Sequence, residues 1–197
     1  MFKHVLAFGH RARNGKDYCA NHAASCFREF YPDHTITVIS FASKLKADVY
    51  DLYKGKGIKD EQYYEKHPEE KDIVLPRLEK TPRQIWVDYG TKGIRNCVYG
   101  YTWVDYVFEK YDVNMSGKNI LLISDLRFPN EFDRVKEYQG LCVKVVRTNY
   151  PERKDEADVA LTDETRWDHI IEAKSGELLS LQRQVETIVG KLVRGHK

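Results

Sequence analysis

The residues best suited to chemistry form a short loop near the start of the chain. It reads Gly9-His10-Arg11-Ala12-Arg13-Asn14-Gly15-Lys16-Asp17. An apolar run at residues 4–8 precedes it, and a segment with apolar residues at helical spacing follows. In a strand–loop–helix unit of this kind, backbone N–H groups surround phosphate oxygens and the helix dipole favours an anion. Residues 11–17 are therefore candidates for binding a polyphosphate, with the Lys16 ammonium on its terminal oxygens.

The loop departs from the usual phosphate-loop pattern at two positions. Counting back from Gly15 and Lys16, His10 stands where the first glycine is expected, and Gly9 comes one place early. Asp17 replaces the Ser or Thr that normally binds Mg²⁺, so its carboxylate either holds the ion through water or orients Lys16. The alternative is a plain strand-to-helix turn in which Asp17 only favours the helix N-terminus.

A second group of polar residues follows the most apolar run of the sequence, residues 120–123. Asp125 and Arg127 come at the end of this predicted strand. Ligands of open α/β sheets bind beyond the carboxyl ends of the strands, so these side chains should face the same crevice as the loop. Arg127 can bind a phosphate with two hydrogen bonds. The alternative is an Asp–Arg pair that stabilises the turn before Pro129.

Further arginines are candidates because phosphoryl transfer needs cations around oxygens that gain charge. A single arginine is usually solvated, so only its position in the fold can show whether it belongs to a binding site. The charged stretch at residues 148–167 is predicted to be a lid that supplies such cations, with a solvated loop as the alternative. The candidate arginines are Arg83, Arg95, Arg147, Arg153 and Arg166.

The elements that must position these residues alternate between strand and helix. Strands are predicted at residues 4–8, 35–41, 119–124, 141–146 and 169–171. Helices are predicted after Ser43, after Thr81-Pro82 with an end or bend near Gly90, after Thr102, at residues 130–139, and from Leu178 onward. This order predicts an α/β fold: one domain, residues 1–197, with a parallel sheet flanked by helices. An insertion at about 43–112 contains the polar stretch 54–71, whose secondary structure the pattern does not predict.

Composition narrows the possible partners. The 32 basic and 30 acidic residues leave a net charge of +2, so binding to duplex nucleic acid is not expected. The four cysteines show no C-x-x-C spacing and are predicted to be reduced core thiols. No signal peptide and no apolar run of about 20 residues is found, which predicts a cytoplasmic protein without a membrane partner. Histidines and serines lack the contexts typical of metalloproteases and of hydrolases with a nucleophile elbow.

Several short motifs, taken in order, resemble those of the phage-type deoxynucleoside monophosphate kinases, and they cover nearly the whole chain. The resemblance implies a P-loop NTPase fold of the nucleoside monophosphate kinase type. It also implies transfer of the γ-phosphoryl group of ATP, with Mg²⁺, to a deoxynucleoside monophosphate, in the host cytoplasm if the gene is phage-encoded. The motifs are Asn14-Gly15-Lys16-Asp17, Ser40-Phe41-Ala42 with Leu45-Lys46, Thr81-Pro82-Arg83 with Gly90-Thr91, Arg95 and Trp103, and Asp125-Leu126-Arg127-Phe128-Pro129-Asn130-Glu131.

The resemblance also implies roles for individual residues. The loop at 11–17 would bind ATP, with Asp17 toward the metal, and a homodimer would fit the habit of the family. The family often has an acidic residue where this chain has Lys92, which bears on substrate preference. The implied catalytic residues are Lys16, Asp17, Arg127 and Arg153. The implied acceptor-binding residues are Lys46, Arg83, Gly90, Thr91, Arg95, Trp103, Asp125, Arg127 and Glu131.

Three other functions stay open. Animal-type phosphomevalonate kinases look similar in Gly15-Lys16-Asp17, in Asp125-x-Arg127 and in Asp168-x-Ile170-Ile171. A kinase for hydroxymethyl pyrimidines, as free nucleotides or within DNA, is a further alternative, although the near-neutral charge disfavours a DNA substrate. A nucleotide-binding module that has lost the reaction is the alternative outside enzymes, because a fold does not prove activity.

Overall fold

Residues 5–111, 118–151 and 156–194 are described by the computed structural model. The chain divides into two compact units, Met1–Ser40 with Phe108–Lys197, and Phe41–Val107. The second unit lies where the sequence predicts an insertion at about 43–112. Arg153, predicted as a catalytic residue, lies outside the described residues. Among the described helices, none is both long enough and apolar enough to cross a membrane.

The first unit contains a parallel sheet. Within the described residues its five strands have the order β2-β3-β1-β4-β5, and every neighbouring pair is parallel. The central strand β1 is buried along its whole length, as expected for a strand covered on both faces. The predicted α/β class is confirmed. The strands are β1 (Val5–Gly9), β2 (Thr35–Ile39), β3 (Asn119–Leu126), β4 (Leu141–Thr148) and β5 (His169–Lys174).

Helices follow the strands along the chain. Beyond the α-helices, the second unit has 3₁₀ turns at Lys54–Lys56 and Pro68–Asp72 and a π-helical segment at Val87–Arg95. The polar stretch 54–71 is therefore structured. The α-helices are α1 (Lys16–Phe30), α2 (Ala42–Tyr53), α3 (Glu61–Lys66), α4 (Pro82–Trp86), α5 (Thr102–Tyr111), α6 (Pro129–Glu137), α7 (Glu156–Val159) and α8 (Leu178–Arg194).

The core of the first unit forms where α1 and α8 pack together beside the sheet. Small residues on α1, such as Ala20 and Ala23, are fully buried and allow a close approach to the neighbouring elements. Phe27 of α1 and Val185 and Val189 of α8 belong to the same cluster. The apolar stripes that predict the two helices thus form one core.

The second unit shows how local sequence rules succeed and fail. Thr81 caps α4 as predicted: its hydroxyl accepts from the Gln84 N–H, and the Gln84 side-chain oxygen accepts from the Thr81 N–H. The predicted end or bend near Gly90 is wrong, because the chain continues through it as a π-helix. A Cβ atom at Gly90 would lie 2.5 Å from Cδ2 of Leu45, so the missing side chain allows this packing.

Two further predictions need correction. Ser43 does not cap α2, which begins one residue earlier, and its hydroxyl lies toward Glu61 instead. All four cysteines are free thiols, as predicted, but only Cys19 and Cys142 are buried, whereas Cys97 is exposed. A core role for every cysteine is therefore wrong, because sequence spacing did not reveal which face of its segment Cys97 occupies.

Replacing Phe27 tests the assigned core. Phe27 is 0% exposed, whereas Phe30 on the same helix is 53% exposed. We expect Phe27→Ala to lower the free energy of unfolding by about 3–5 kcal/mol, because it removes buried contacts and leaves a cavity. The matched control Phe30→Ala should change it by about 0.5 kcal/mol or less. Urea denaturation measures both, and equal losses would contradict this core.

Candidate functional site

The loop lies at the carboxyl edge of the sheet. It follows the end of β1 at Gly9, and the His10 N–H donates to the Leu126 carbonyl at the end of β3, at 3.1 Å. Helix α1 then begins at Lys16. The fold therefore places the loop beside the two residues that the sequence predicts at the end of β3, Asp125 and Arg127.

The loop backbone takes conformations that side chains disfavour. His10 has φ 95°, Arg13 φ 60° and Gly15 φ 90°, all in the left-handed region. Glycine adopts this region at no steric cost, so His10 carries strain at the position where the usual pattern has glycine. Left-handed residues alternating with ordinary ones turn successive N–H groups toward one concave surface, which is how such loops receive anions.

Two side chains of the loop, those of Asn14 and His10, are buried. The Asn14 amide nitrogen donates to the Val145 carbonyl of β4 at 2.8 Å, and Asn14 is only 7% exposed. Burial, together with the positive charges of Lys144 and Arg11, lowers the pKa of His10 to about 4. A neutral imidazole at physiological pH adds no repulsion to the cations beside it.

Lys16 is the central charge of the loop. Its side chain is buried, and the ammonium group donates to the Arg11 carbonyl of its own loop at 2.5 Å. Burial is the main cause that lowers the pKa of Lys16 from 10.5 to about 7, and repulsion by Arg127 is the second. Three carboxylates oppose this shift: Asp17, Asp125 and Asp158. Without an anion in the loop, the ammonium form is therefore poorly compensated.

A cavity of about 230 Å³ lies beside the loop, between it and residues 146–151. The Arg147 guanidinium lies over the Tyr150 ring, 4.5 Å from its centre, and donates to the Arg13 carbonyl at 3.1 Å. Arg147 also donates to the Ser175 hydroxyl. Arg13 donates to the Tyr150 hydroxyl at 3.2 Å, so the cavity wall is held by polar contacts on both sides.

Polar residues at the end of β3 and just after it form hydrogen bonds with neighbouring groups. The Ser40 hydroxyl donates to Oδ2 of Asp125 at 2.6 Å. Glu131 is 2% exposed and accepts from the N–H groups of Arg127 and Phe128, at 2.8 and 3.1 Å. It therefore caps the start of α6, in addition to the acceptor role predicted for it.

Arg127 faces a partner that the sequence does not indicate. Its Nη1 lies 3.4 Å from Oδ1 of Asp158 in α7, and the same oxygen accepts from the Ala12 N–H at 2.7 Å. Asp158 belongs to no motif and lies 146 residues from Ala12 in sequence. The one sequence feature that could have indicated a role for Asp158 in the site is its position within the predicted lid, residues 148–167.

The second unit holds the other predicted acceptor residues, and its cations are paired. The Lys46 ammonium donates to Glu61 at 2.7 Å, and Arg83 donates to both carboxylate oxygens of Asp72, at 2.7 and 3.2 Å. Both carboxylates come from the segment between α2 and α4. That segment therefore orients two of the predicted acceptor-binding cations.

Other predicted acceptor residues have packing contacts. Trp103 is 5% exposed and its indole N–H donates to the Gly90 carbonyl at 3.1 Å, inside the core of the second unit. Thr91 and Arg95 lie on the π-helical segment, and both are half-buried. Lys92 forms an ion pair with Asp88 of the same helical segment, at 2.9 Å.

Asp17 offers an exposed carboxylate in the first turn of α1. Mg²⁺ in proteins typically keeps several waters and takes one or two carboxylates together with substrate phosphates. One exposed carboxylate beside a loop of this shape fits that donor set. Across the part of the chain that the structure describes, the one cluster of three metal-type side chains is His67, Glu69 and Glu70, which does not include Asp17.

The lowered pKa of Lys16 predicts a pH-dependent stability. Between pH 7 and 10.5 the unfolded chain binds more protons at this lysine than the folded chain, so folding becomes more favourable as the pH rises. We expect the free energy of unfolding of the wild type to gain up to about 1.4 kcal/mol per pH unit relative to Lys16→Met. Urea denaturation at pH 7, 8 and 9 measures the free energy of unfolding of both proteins. The same pH dependence in the wild type and in Lys16→Met would contradict a lowered pKa of Lys16.

Taken together, the loop amides, Lys16, Arg127 and the N-terminus of α1 form a basic surface able to bind several anionic oxygens. These groups can bind an anionic group and neutralise its charge. Scans against models of known protein families and against curated proteins found no significant match to this chain.

Proposed function

We propose that this chain is a kinase of the P-loop NTPase fold that transfers the γ-phosphoryl group of ATP to a deoxynucleoside monophosphate. The observation that carries the proposal is the loop between β1 and α1. Its left-handed turns, its buried Lys16 and its place at the carboxyl edge of a parallel sheet are features that polyphosphate-binding loops need.

The donor would occupy the loop and the cavity beside it. Loop N–H groups and the start of α1 would receive the β- and γ-phosphates, with Lys16 on their oxygens. The planar guanidinium of Arg147, already stacked on Tyr150, borders the cavity and is suited to lie against the flat face of a base. Asp17 would hold Mg²⁺ through water.

The acceptor assignment rests on the resemblance and on the cations of the second unit. Lys46, Arg83 and Arg95 would bind the acceptor phosphate, the first two kept in place by Glu61 and Asp72. Preorganised cations of this kind bind a phosphate with little loss of side-chain entropy. The resemblance also assigns an acceptor-binding role to Asp125, which the Ser40 hydroxyl holds in place.

The reaction would be an in-line transfer. An oxygen of the acceptor phosphate attacks Pγ of ATP, the bond from Pγ to the β,γ-bridging oxygen breaks, and ADP leaves with the bridging oxygen. Bound Mg²⁺ would neutralise charge on the phosphate oxygens. Lys16 and Arg127 would stabilise the charge that spreads over the transferred group, and the protein forms no covalent intermediate.

A turnover assay tests the function. The purified protein is incubated with ATP, Mg²⁺ and each of the four deoxynucleoside monophosphates, and diphosphate formation is followed. We expect turnover with one or more of them, and a loss of at least about 10²-fold in Lys16→Ala, because a charge on the transferred group loses its partner. Lys191→Ala is the control, since this exposed lysine on α8 lies outside the site.

The same assay separates the alternatives. Turnover only with mevalonate phosphate, or only with 5-hydroxymethyl pyrimidine nucleotides, would show that the acceptor is a different compound. It would leave the proposed donor site unchanged. Tight ATP binding without turnover on any acceptor would show a binding module and contradict the proposed activity.

Proton uptake provides an independent check on Lys16. A bound triphosphate would raise the pKa of Lys16 from about 7 by supplying the missing negative charge, so the lysine gains a proton on binding near pH 8. We expect calorimetry in two buffers of different ionisation enthalpy to show net proton uptake at pH 8, absent in Lys16→Met. Equal proton uptake by the wild type and Lys16→Met would show that the proton does not bind to Lys16.

A further inference from the structure

Asp158 is an unusual buried carboxylate. The residue is 2% exposed, and it lies on the short helix α7. Its Oδ1 accepts from the Ala12 N–H at 2.7 Å and lies 3.4 Å from Nη1 of Arg127. Its Oδ2 is buried and has no hydrogen-bond partner among the described residues. A carboxylate thus contacts the candidate anion loop with only one of its two oxygens hydrogen-bonded.

These contacts do not resemble those of a carboxylate kept for stability. Buried carboxylates are costly unless both oxygens are hydrogen-bonded, and a buried polar atom without a partner calls for an explanation. The groups around Oδ1 are a loop N–H and a guanidinium, and Lys16 is near enough to respond to its charge. Those are the groups that would receive a phosphate oxygen.

We propose that Asp158 occupies the anion position of the loop in the ligand-free chain, and that a phosphate oxygen of the triphosphate must displace it. The inference rests on the proposed function, in which this loop binds the donor. Asp158 is then a built-in competitor: the carboxylate partly compensates the loop cations when no triphosphate is present. Donor binding separates α7 from the loop and transfers Arg127 from the carboxylate to the phosphate.

The competitor has a measurable cost in affinity. Apparent affinity falls by the fraction of molecules in which the loop is open, so removing the competitor raises it. The competition involves phosphate oxygens alone, so a ligand without a base should show the same gain as ATP. Inorganic tripolyphosphate is such a ligand.

Two variants of Asp158 test the inference. Asp158→Ala removes the competing oxygens, and Asp158→Asn keeps the shape while removing the charge. Calorimetry with Mg²⁺ and either ATP or tripolyphosphate, without acceptor, gives the dissociation constants. We expect about tenfold tighter binding of both ligands to Asp158→Ala, in the range of one charge-assisted hydrogen bond, and a smaller gain for Asp158→Asn. The control Asp163→Ala, an exposed acid in the same segment, should bind like the wild type.

The outcomes separate this inference from the proposed function. If the wild type binds ATP and both variants bind equally well or more weakly, Asp158 is a positioning residue for Arg127 and the competitor is overturned, while the donor site stands. If no protein binds either ligand, both proposals fall. Thermal unfolding of each variant checks folding, and the near-isosteric Asp158→Asn carries the test should Asp158→Ala fail to fold.

Discussion

Lys16 is a buried lysine whose ammonium group is in direct contact with no carboxylate of the described residues, and much of the site follows from that arrangement. Its ammonium group bonds to a carbonyl of its own loop, and Arg127 adds a second positive charge nearby. Burial and like charge both disfavour the ammonium form. The site therefore favours any group that brings negative charge to the loop, whether a carboxylate of the chain or a phosphate of a ligand.

The loop can keep its strained shape because the strands on either side hold it. His10 bonds to the end of β3, and Asn14 bonds to β4, so the central strand β1 and both its neighbours fix the loop. Strained backbone persists where surrounding structure determines it, and such positions cluster at functional sites. The strain at His10 is consistent with a loop shaped for a ligand.

Both units use carboxylates to hold cations in place. Asp158 contacts Arg127 in the first unit, and Glu61 and Asp72 hold Lys46 and Arg83 in the second. Paired cations lose less rotamer entropy when they bind an anion, but the ligand has to compete with the carboxylate already present. In the proposed function, each pair would therefore favour the geometry of phosphate binding and reduce its affinity.

What the sequence alone determined is local. Periodicity indicated the alternation of strands and helices, the end of β3 indicated the place of Asp125 and Arg127, and Thr81 marked the start of α4, because each signal lies within a few residues. Tertiary structure decided the rest. It extended the helix through Gly90, made Glu131 a helix cap, and brought Asp158 to the loop across 146 residues of chain. Such contacts depend on which surfaces pack together, and the spacing of residues in the sequence does not show this.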